Sequence, residues 1–380
     1  MPLTNSGWFC CMVAVVAYVA GWQLGWIELM VLSAGCIVAL LSAVPFVIGR
    51  TRLDIDRTLD PDRVVVGEPA RAVLRLTNAG RSPSPPRLVE DKVGRLAVCI
   101  DVPALVSGQT TEALYRLPSE RRGRYQVGPA VLVKSDPLGL MRRESVHTKT
   151  DTLWVHPLRT ALQPLPVGFA KDLEGPTSDA SPAGDVAFHA LREYQAGDNF
   201  RHIHWLSTAR AGEVMVRQYV DNRKPEMAVL LDDRASSYEG DAFEVAVQIA
   251  ASIVVSSKLQ QQPVSLWFGA RSLSGRARPT SMEEVLDALS VVEPVGSRDL
   301  ASAVRSVLRV ERGVSALVPI TGSIDTDDLH AAIQPSRRSA RVLATRVWPE
   351  EAQRGALPGA TLFDVAELGQ FRFAWNRLTG

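Results

Sequence analysis

Hydrophobic and polar positions divide the chain into three regimes. From Met1 to Ile27 no side chain carries a charge, and Glu28 is the only charged one before Arg50. Two apolar runs lie in this stretch, Trp8 to Trp22 and Ile27 to Ile48. The second is about 22 residues, or roughly 33 Å at 1.5 Å per residue, enough for a ~30 Å hydrocarbon core. Gly21 to Trp26 forms a tight connection whose Trp22 and Trp26 suit the headgroup level. The pattern predicts a two-helix transmembrane hairpin over residues 1–50 that places the chain in a lipid bilayer. A cleaved signal peptide would carry Lys or Arg ahead of its apolar stretch, and none is present.

Residues 51–158 alternate with period two. Ala72, Leu74 and Leu76 interleave with Arg71, Val73 and Arg75, and further strand candidates run over 96–102, 111–117, 125–133 and 152–155. Short alternating segments separated by Gly and Pro turns predict a β-rich, sandwich-like domain. Residues 159–225 begin as a Pro-, Gly- and Ser-rich linker and continue into a segment dense in Arg, Tyr and Trp. From 226 to 380 strands alternate with helices. Met227–Leu231 is a wholly apolar strand, and Ala242–Gln260 is a helix with Phe243, Ala246, Ile249, Ala250 and Ile253 on one face. Strand and helix patterns continue in turn to the end, which predicts an α/β doubly wound, mostly parallel sheet.

Composition changes little in this picture. Lys+Arg 42 against Asp+Glu 41 leaves a net charge of +1, which gives no electrostatic footprint for nucleic acid. Three of the four cysteines lie in the apolar runs, so the soluble part has Cys99 alone and no disulfide framework. Cys99 is expected to be a small buried group on a strand. Arg50 and Arg52 directly follow the second apolar run, so the positive-inside rule puts both ends of the hairpin in the cytoplasm.

One segment stands out: Leu191-Arg192-Glu193-Tyr194-Gln195-Ala196-Gly197-Asp198, then Arg201, Ile203, Trp205, Ala209 and Arg210. Asp198 is placed to N-cap a helix running to about Arg210. Arg192, Tyr194, Gly197, Asp198, Arg201, Trp205 and Arg210 are the candidate structural or docking residues. The stretch resembles the signature of the bacterial family catalogued as domain of unknown function 58, roughly L-R-E-Y-x-x-G-D-x-x-R-x-I-x-W-x-x-x-A-R. Arg122-Gly123-Arg124-Tyr125 and Asp136-Pro137-Leu138-Gly139-Leu140 look like two further elements of that family. The resemblance implies a C-terminal part similar to a von Willebrand factor A domain. It also implies a MoxR-type AAA+ ATPase as partner, with a membrane transglutaminase-like protein as a second associate.

An A domain often holds Mg²⁺ through Asp-x-Ser-x-Ser after its first strand, a later Thr and a later Asp. Here Asp232 and Ser236 match, Arg234 replaces the middle Ser, Ser297 stands in for the Thr, and Thr321-Gly322-Ser323 offers no Asp. An arginine supplies positive charge to the space a cation would take, so a degenerate site is expected, with Arg234 paired to Asp232 or Asp233 and no cofactor. His202 and His204, two apart on a helix, point about 200° from each other and cannot share one ion. No phosphate-binding loop, nucleophile elbow or zinc-protease motif occurs.

These features imply a non-enzymatic, membrane-anchored adaptor of the bacterial plasma (inner) membrane, its soluble domains cytoplasmic, working with a MoxR-type ATPase in protein assembly or maturation. The alternatives are a metal-dependent adhesion or receptor module facing outward, and an unrecognised cell-envelope enzyme.

Overall fold

The computed structural model describes residues 3–48, 53–94, 96–165, 186–195, 198, 200, 203–221, 226–275, 278–311, 313–337, 340–348 and 357–379. The chain forms two compact units, Met1–Pro157 and Leu158–Gly380.

The first unit opens with helices α1 (Asn5–Leu24) and α2 (Ile27–Ile48). The Thr4 hydroxyl caps α1 by accepting the Gly7 N–H at 3.1 Å, and Gly25, at φ 67°, turns the chain into α2. The two helices approach closely where side chains are small: a Cβ on Gly21 would come within 3.1 Å of Met30. The buried Ser33 hydroxyl donates to the Ala14 carbonyl across the pair at 2.8 Å. The outward faces expose Phe9, Met12, Val16, Val31, Val38 and Leu41, an apolar surface with no protein partner among the described residues. Both helices are long and apolar enough to cross a membrane. A third helix, Ala242–Leu259, meets the same length and apolarity, but two-thirds of it is buried inside the second unit, which marks it as core.

Nine strands follow: β1 (Leu53–Leu59), β2 (Arg63–Val65), β3 (Ala70–Asn78), β4 (Arg87–Val93), β5 (Leu96–Val102), β6 (Thr110–Leu117), β7 (Gly123–Ser135), β8 (Arg142–Val146) and β9 (Asp151–His156). They form one sheet of order β1-β3-β6 and a second of order β2-β9-β7-β4-β5, with β8 beside β7. The core-facing residues of the first sheet include Leu53, Ile55, Ala72, Leu74 and Leu76, and they meet Val89, Val127, Leu132 and Leu153 of the second in one core. The loop before β8 anchors α1: the Thr4 N–H donates to the Leu140 carbonyl at 3.0 Å, and a Cβ on Gly7 would lie 2.1 Å from that oxygen. The Asp136 carboxylate holds this loop by accepting the N–H groups of Leu138 and Met141. Cys99 corrects its expectation. It lies on edge strand β5 and is exposed, because Val98, Ile100 and Val102 take the inward positions.

In the second unit, the chain from Leu158 to Leu165 is packed rather than a free linker. Leu162 and Leu165 are buried, and the N–H groups of Thr160 and Leu162 donate to the hydroxyls of Ser252 and Ser256. Those serines sit on the long helix, so a polar row there receives the extended backbone. A hairpin follows, β10 (Val186–Glu193) and β11 (Met215–Asp221), with α3 (Trp205–Ala211) between its strands. The remaining elements are β12 (Glu226–Leu231), α4 (Ala242–Leu259), β13 (Val264–Phe268), β14 (Arg271–Ser274), α5 (Met282–Ser290), α6 (Leu300–Val310), β15 (Val314–Thr321), α7 (Thr326–Ile333), β16 (Arg341–Val347), β17 (Thr361–Val365) and α8 (Leu368–Thr379).

The six strands β12 to β17 lie in the order β14-β13-β12-β15-β16-β17, all parallel except β14. β12 shows why: Met227, Val229 and Leu231 face α4, α5 and α8, while Ala228 and Leu230 face α6 and α7. A strand buried on both faces cannot alternate with polar residues. Numbered within the domain the order is 3-2-1-4-5-6, and it reverses between β12 and β15. Loops at the carboxyl ends of these two strands form the crevice where ligands bind in open α/β sheets.

Candidate functional site

Two features of the second unit gather the candidate residues. The first is the β10–α3–β11 hairpin. Arg192, at the end of β10, points its guanidinium at Asp198 in a two-pronged pair, Nη1 to Oδ2 at 2.7 Å and Nη2 to Oδ1 at 2.6 Å. Asp198 also accepts the Gln195 N–H at 2.9 Å. Its carboxylate braces this turn, and among the described residues Asp198 is not the cap of α3. The helix instead starts at Trp205, capped by His204, whose Nδ1 meets the Ser207 hydroxyl at 2.7 Å. Ile203 pairs with Val216 of β11 and both are buried, which fixes the chain entering α3. Gly212, at φ 77°, ends the helix and lets Met215 N–H donate to the Thr208 hydroxyl at 3.0 Å.

The result is a pinned turn with its large side chains outside. Tyr194 and Phe200 stack with ring centroids 5.7 Å apart, yet Phe200 is 70% exposed, Trp205 69% and Leu206 61%. Arg210 is exposed in the last turn of α3. Gly197, Arg201 and His202 lie outside the described residues, as do Arg50 and Arg52 after α2.

The second feature is the crevice. Beyond β12 the chain turns sharply, and the Arg234 side chain folds back onto Asp232. Nε lies 3.1 and 3.2 Å from the two carboxylate oxygens and Nη2 lies 2.8 Å from Oδ2. The Arg234 N–H donates to Oδ1 at 3.1 Å, and the Thr321 hydroxyl at the end of β15 donates to Oδ2 at 2.7 Å. Asp232 is 2% exposed. The Tyr238 hydroxyl donates to the Asp232 carbonyl at 3.0 Å, and burial, then the Asp232 charge, pushes its pKa well up, so it stays protonated. The hydrogen bonds to Asp232 hold the Arg234 pKa above its ordinary value.

Neighbouring loops close around this turn. Arg234 bridges to Gly296 backbone to backbone, and the Gly296 N–H donates to the Asp233 carbonyl at 2.7 Å. A Cβ on Gly296 would lie 2.1 Å from the Asp233 carboxyl carbon, and one on Gly269 would lie 2.2 Å from its Oδ2. Asp233 is therefore wedged between two glycines. Burial, followed by the Asp232 charge, raises its pKa. Gly322 passes so near the Ser237 carbonyl that a Cβ would sit 1.7 Å from that oxygen.

Arg234 thus pairs with Asp232, not Asp233. Ser236 and Ser297 are exposed, and neither hydroxyl bonds Asp232. These residues do not fit a divalent cation, which needs open carboxylate oxygens and neutral oxygen ligands around it. Both Asp232 oxygens are taken by N–H and O–H donors, and a guanidinium fills the adjoining space. Among the described residues, no group of three or more His, Cys, Asp or Glu side chains could hold a metal ion. Thr321 and Tyr238 are site residues that motif spacing missed; Thr321 carried a signal in its position, a polar residue at the carboxyl end of β15, while Tyr238 lies past the turn that follows β12.

Fold and site define a protein with two apolar N-terminal helices, a β-sheet unit and a doubly wound α/β domain. Residues 190–370 match the family described as Protein of unknown function DUF58. The uncharacterized protein YeaD of Bacillus subtilis (strain 168) is 28% identical over 150 residues, which cover 37% of this chain and 35% of that protein. The chain thus spans about a third of the length of this curated relative. Among solved structures, the CARDB domain of the PF1109 protein from Pyrococcus furiosus is similar at 15% identity and a TM-score of 0.20, covering 25% of this chain and 92% of that one. A β-glucosidase from Listeria innocua is similar at 12% identity and a TM-score of 0.21, over 28% and 16% of the two chains.

Proposed function

We propose that this chain is a non-enzymatic, membrane-anchored adaptor whose α/β domain docks a MoxR-type AAA+ ATPase. The observation that carries the reading is the β10–α3–β11 hairpin. Its turn is pinned by the Arg192–Asp198 pair, yet it holds Phe200, Trp205 and Leu206 in solvent. Large aromatic and apolar side chains kept out of the core on a braced element are typical anchors of protein interfaces. The 3-2-1-4-5-6 strand order with one antiparallel edge strand agrees with a von Willebrand factor A-like domain. The choice of an ATPase as partner, and of a membrane transglutaminase-like protein as a further associate, rests on the family resemblance. The two apolar helices supply the tether, and the arginines after them favour a cytoplasmic position for both units.

Affinity purification of the full chain from its native membranes, in the presence of a slowly hydrolysed ATP analogue, tests the partner. Recovery of a MoxR-type ATPase is expected. Its repeated absence, with the bait folded and membrane-bound, would sink the reading. A reporter active only in the cytoplasm, fused after Gly380, tests the side; an inactive fusion contradicts it.

A further inference from the structure

The crevice between β12 and β15 has the outline of a cation site and the wrong contents for one. Asp232 is almost fully buried, so its charge needs a counter-charge within contact distance. In this chain that charge is covalently attached: Arg234, two residues on, curls back and covers both carboxylate oxygens with Nε and Nη2. The Thr321 hydroxyl spends its proton on the same carboxylate, closing the side that faces β15. The Arg234 side chain keeps 21% of its surface exposed, and its Nη1 makes no hydrogen bond to any described residue. The guanidinium therefore lies at the mouth of the crevice, between Asp232 and solvent. Asp233, the other carboxylate here, is held away by its glycine walls, and its charge is opposed by Arg234 and Arg298. Ser236 and Ser297 remain exposed beside the loop.

We propose that Arg234 is a built-in substitute for a divalent cation: the crevice is a charge-complete site that excludes metal, and anything docking across it does so independently of Mg²⁺. The proposal stands on these side chains alone and survives or fails whatever the partner is. Removing the guanidinium should leave a buried carboxylate beside the Thr321 hydroxyl that a hard divalent cation can neutralise.

The test uses the full chain in lipid nanodiscs with Mn²⁺ as the probe, read by its electron paramagnetic resonance signal, and with thermal melts in and out of millimolar Mg²⁺. The wild-type chain should bind no Mn²⁺ at this crevice, and its melting temperature should not respond to Mg²⁺. Arg234→Ser should bind one Mn²⁺, lose it again when Asp232→Asn is added, and gain about 3 °C or more in melting temperature with Mg²⁺. Arg234→Gln, which keeps more of the side chain's volume, serves if the serine variant does not fold. Wild-type Mn²⁺ binding that disappears in Asp232→Asn overturns the proposal, and that measurement needs no Arg234 variant. A folded Arg234→Ser or Arg234→Gln chain that binds no metal overturns it as well.

Discussion

Each unit buries an aspartate against an arginine and a hydroxyl, and the two clusters are built to opposite ends. In the β-sheet unit, Arg57 of β1 donates to Asp91 of β4 at 2.8 Å, while the Tyr115 hydroxyl of β6 donates to the same carboxylate. Arg57 also reaches Asp151 at 2.8 Å and the Lys149 carbonyl at 2.5 Å. Both the Arg57 and Asp91 side chains are wholly buried, and burial with the Asp91 charge keeps the Tyr115 hydroxyl protonated as a donor. Its centre, Arg57 with Asp91, is sealed from solvent, and four strands from two sheets are bound together through it. The Asp232–Arg234 pair has the same chemistry, but both partners lie in one loop and one edge of the guanidinium is open. The first cluster holds sheets in place; the second conditions a surface. Identical ion-pair chemistry therefore says little about role until its connectivity and exposure are known.

The sharpest way to break the comparison is to remove one arginine at a time. Arg57→Met leaves Asp91 buried with only a tyrosine hydroxyl, and should cost the β-sheet unit about 3–5 kcal/mol. Chemical denaturation followed by hydrogen exchange in β4 would show it. Arg234→Ser should cost the α/β domain less, about 1–3 kcal/mol, because its crevice opens to water. Equal losses would erase the distinction. At the hairpin, Trp205→Ala with Leu206→Ser should change stability by no more than a surface change does, within about 0.5 kcal/mol. The same double change should abolish recovery of the ATPase. A large loss of stability would mean those side chains are core rather than docking groups.

The smallest expected effect is a pH dependence. Asp233 has its pKa raised in the folded chain, so the folded state binds that proton more tightly than the unfolded one. No penalty exists while the group is protonated in both states; it grows as pH rises from the unfolded carboxylate value through the higher folded one. Asp233→Asn should therefore stabilise the domain at neutral pH by under about 1 kcal/mol, with the gain fading as pH falls through that window. A gain that persists unchanged at acid pH would assign the effect to something other than charge.

Legibility in sequence followed the range of the interactions. β12 and the amphipathic α4 were readable because burial on two faces, or along one helical stripe, is written in consecutive residues. β10, split in sequence between the end of the linker and the start of the signature, does not read as a strand because its partner β11 begins only at Met215, with the signature turn between them. Asp198 has the right chemistry for an N-cap, but α3 starts only at Trp205 behind His204, and the Asp198 carboxylate pairs with Arg192. Arg57 and Asp91 did leave a trace: each sits at a core-facing position of an alternating strand, Arg57 after Leu53 and Ile55, Asp91 between Val89 and Val93. Two opposite charges at inward positions of separate strands signal a buried pair, although nothing local says that they meet. The Arg234 substitution was visible as a broken motif, and geometry decided which of two neighbouring carboxylates it engages.

The adaptor reading turns on what the exposed hairpin touches in the membrane-bound protein. A photo-crosslinking amino acid placed at position 205 of the full chain, activated in intact membranes, reads that contact directly. A covalent product with a MoxR-type AAA+ ATPase, absent when the crosslinker sits at buried Val216, is the expected result. Crosslinks at position 205 to lipid alone, or back into this chain's own core, would contradict it.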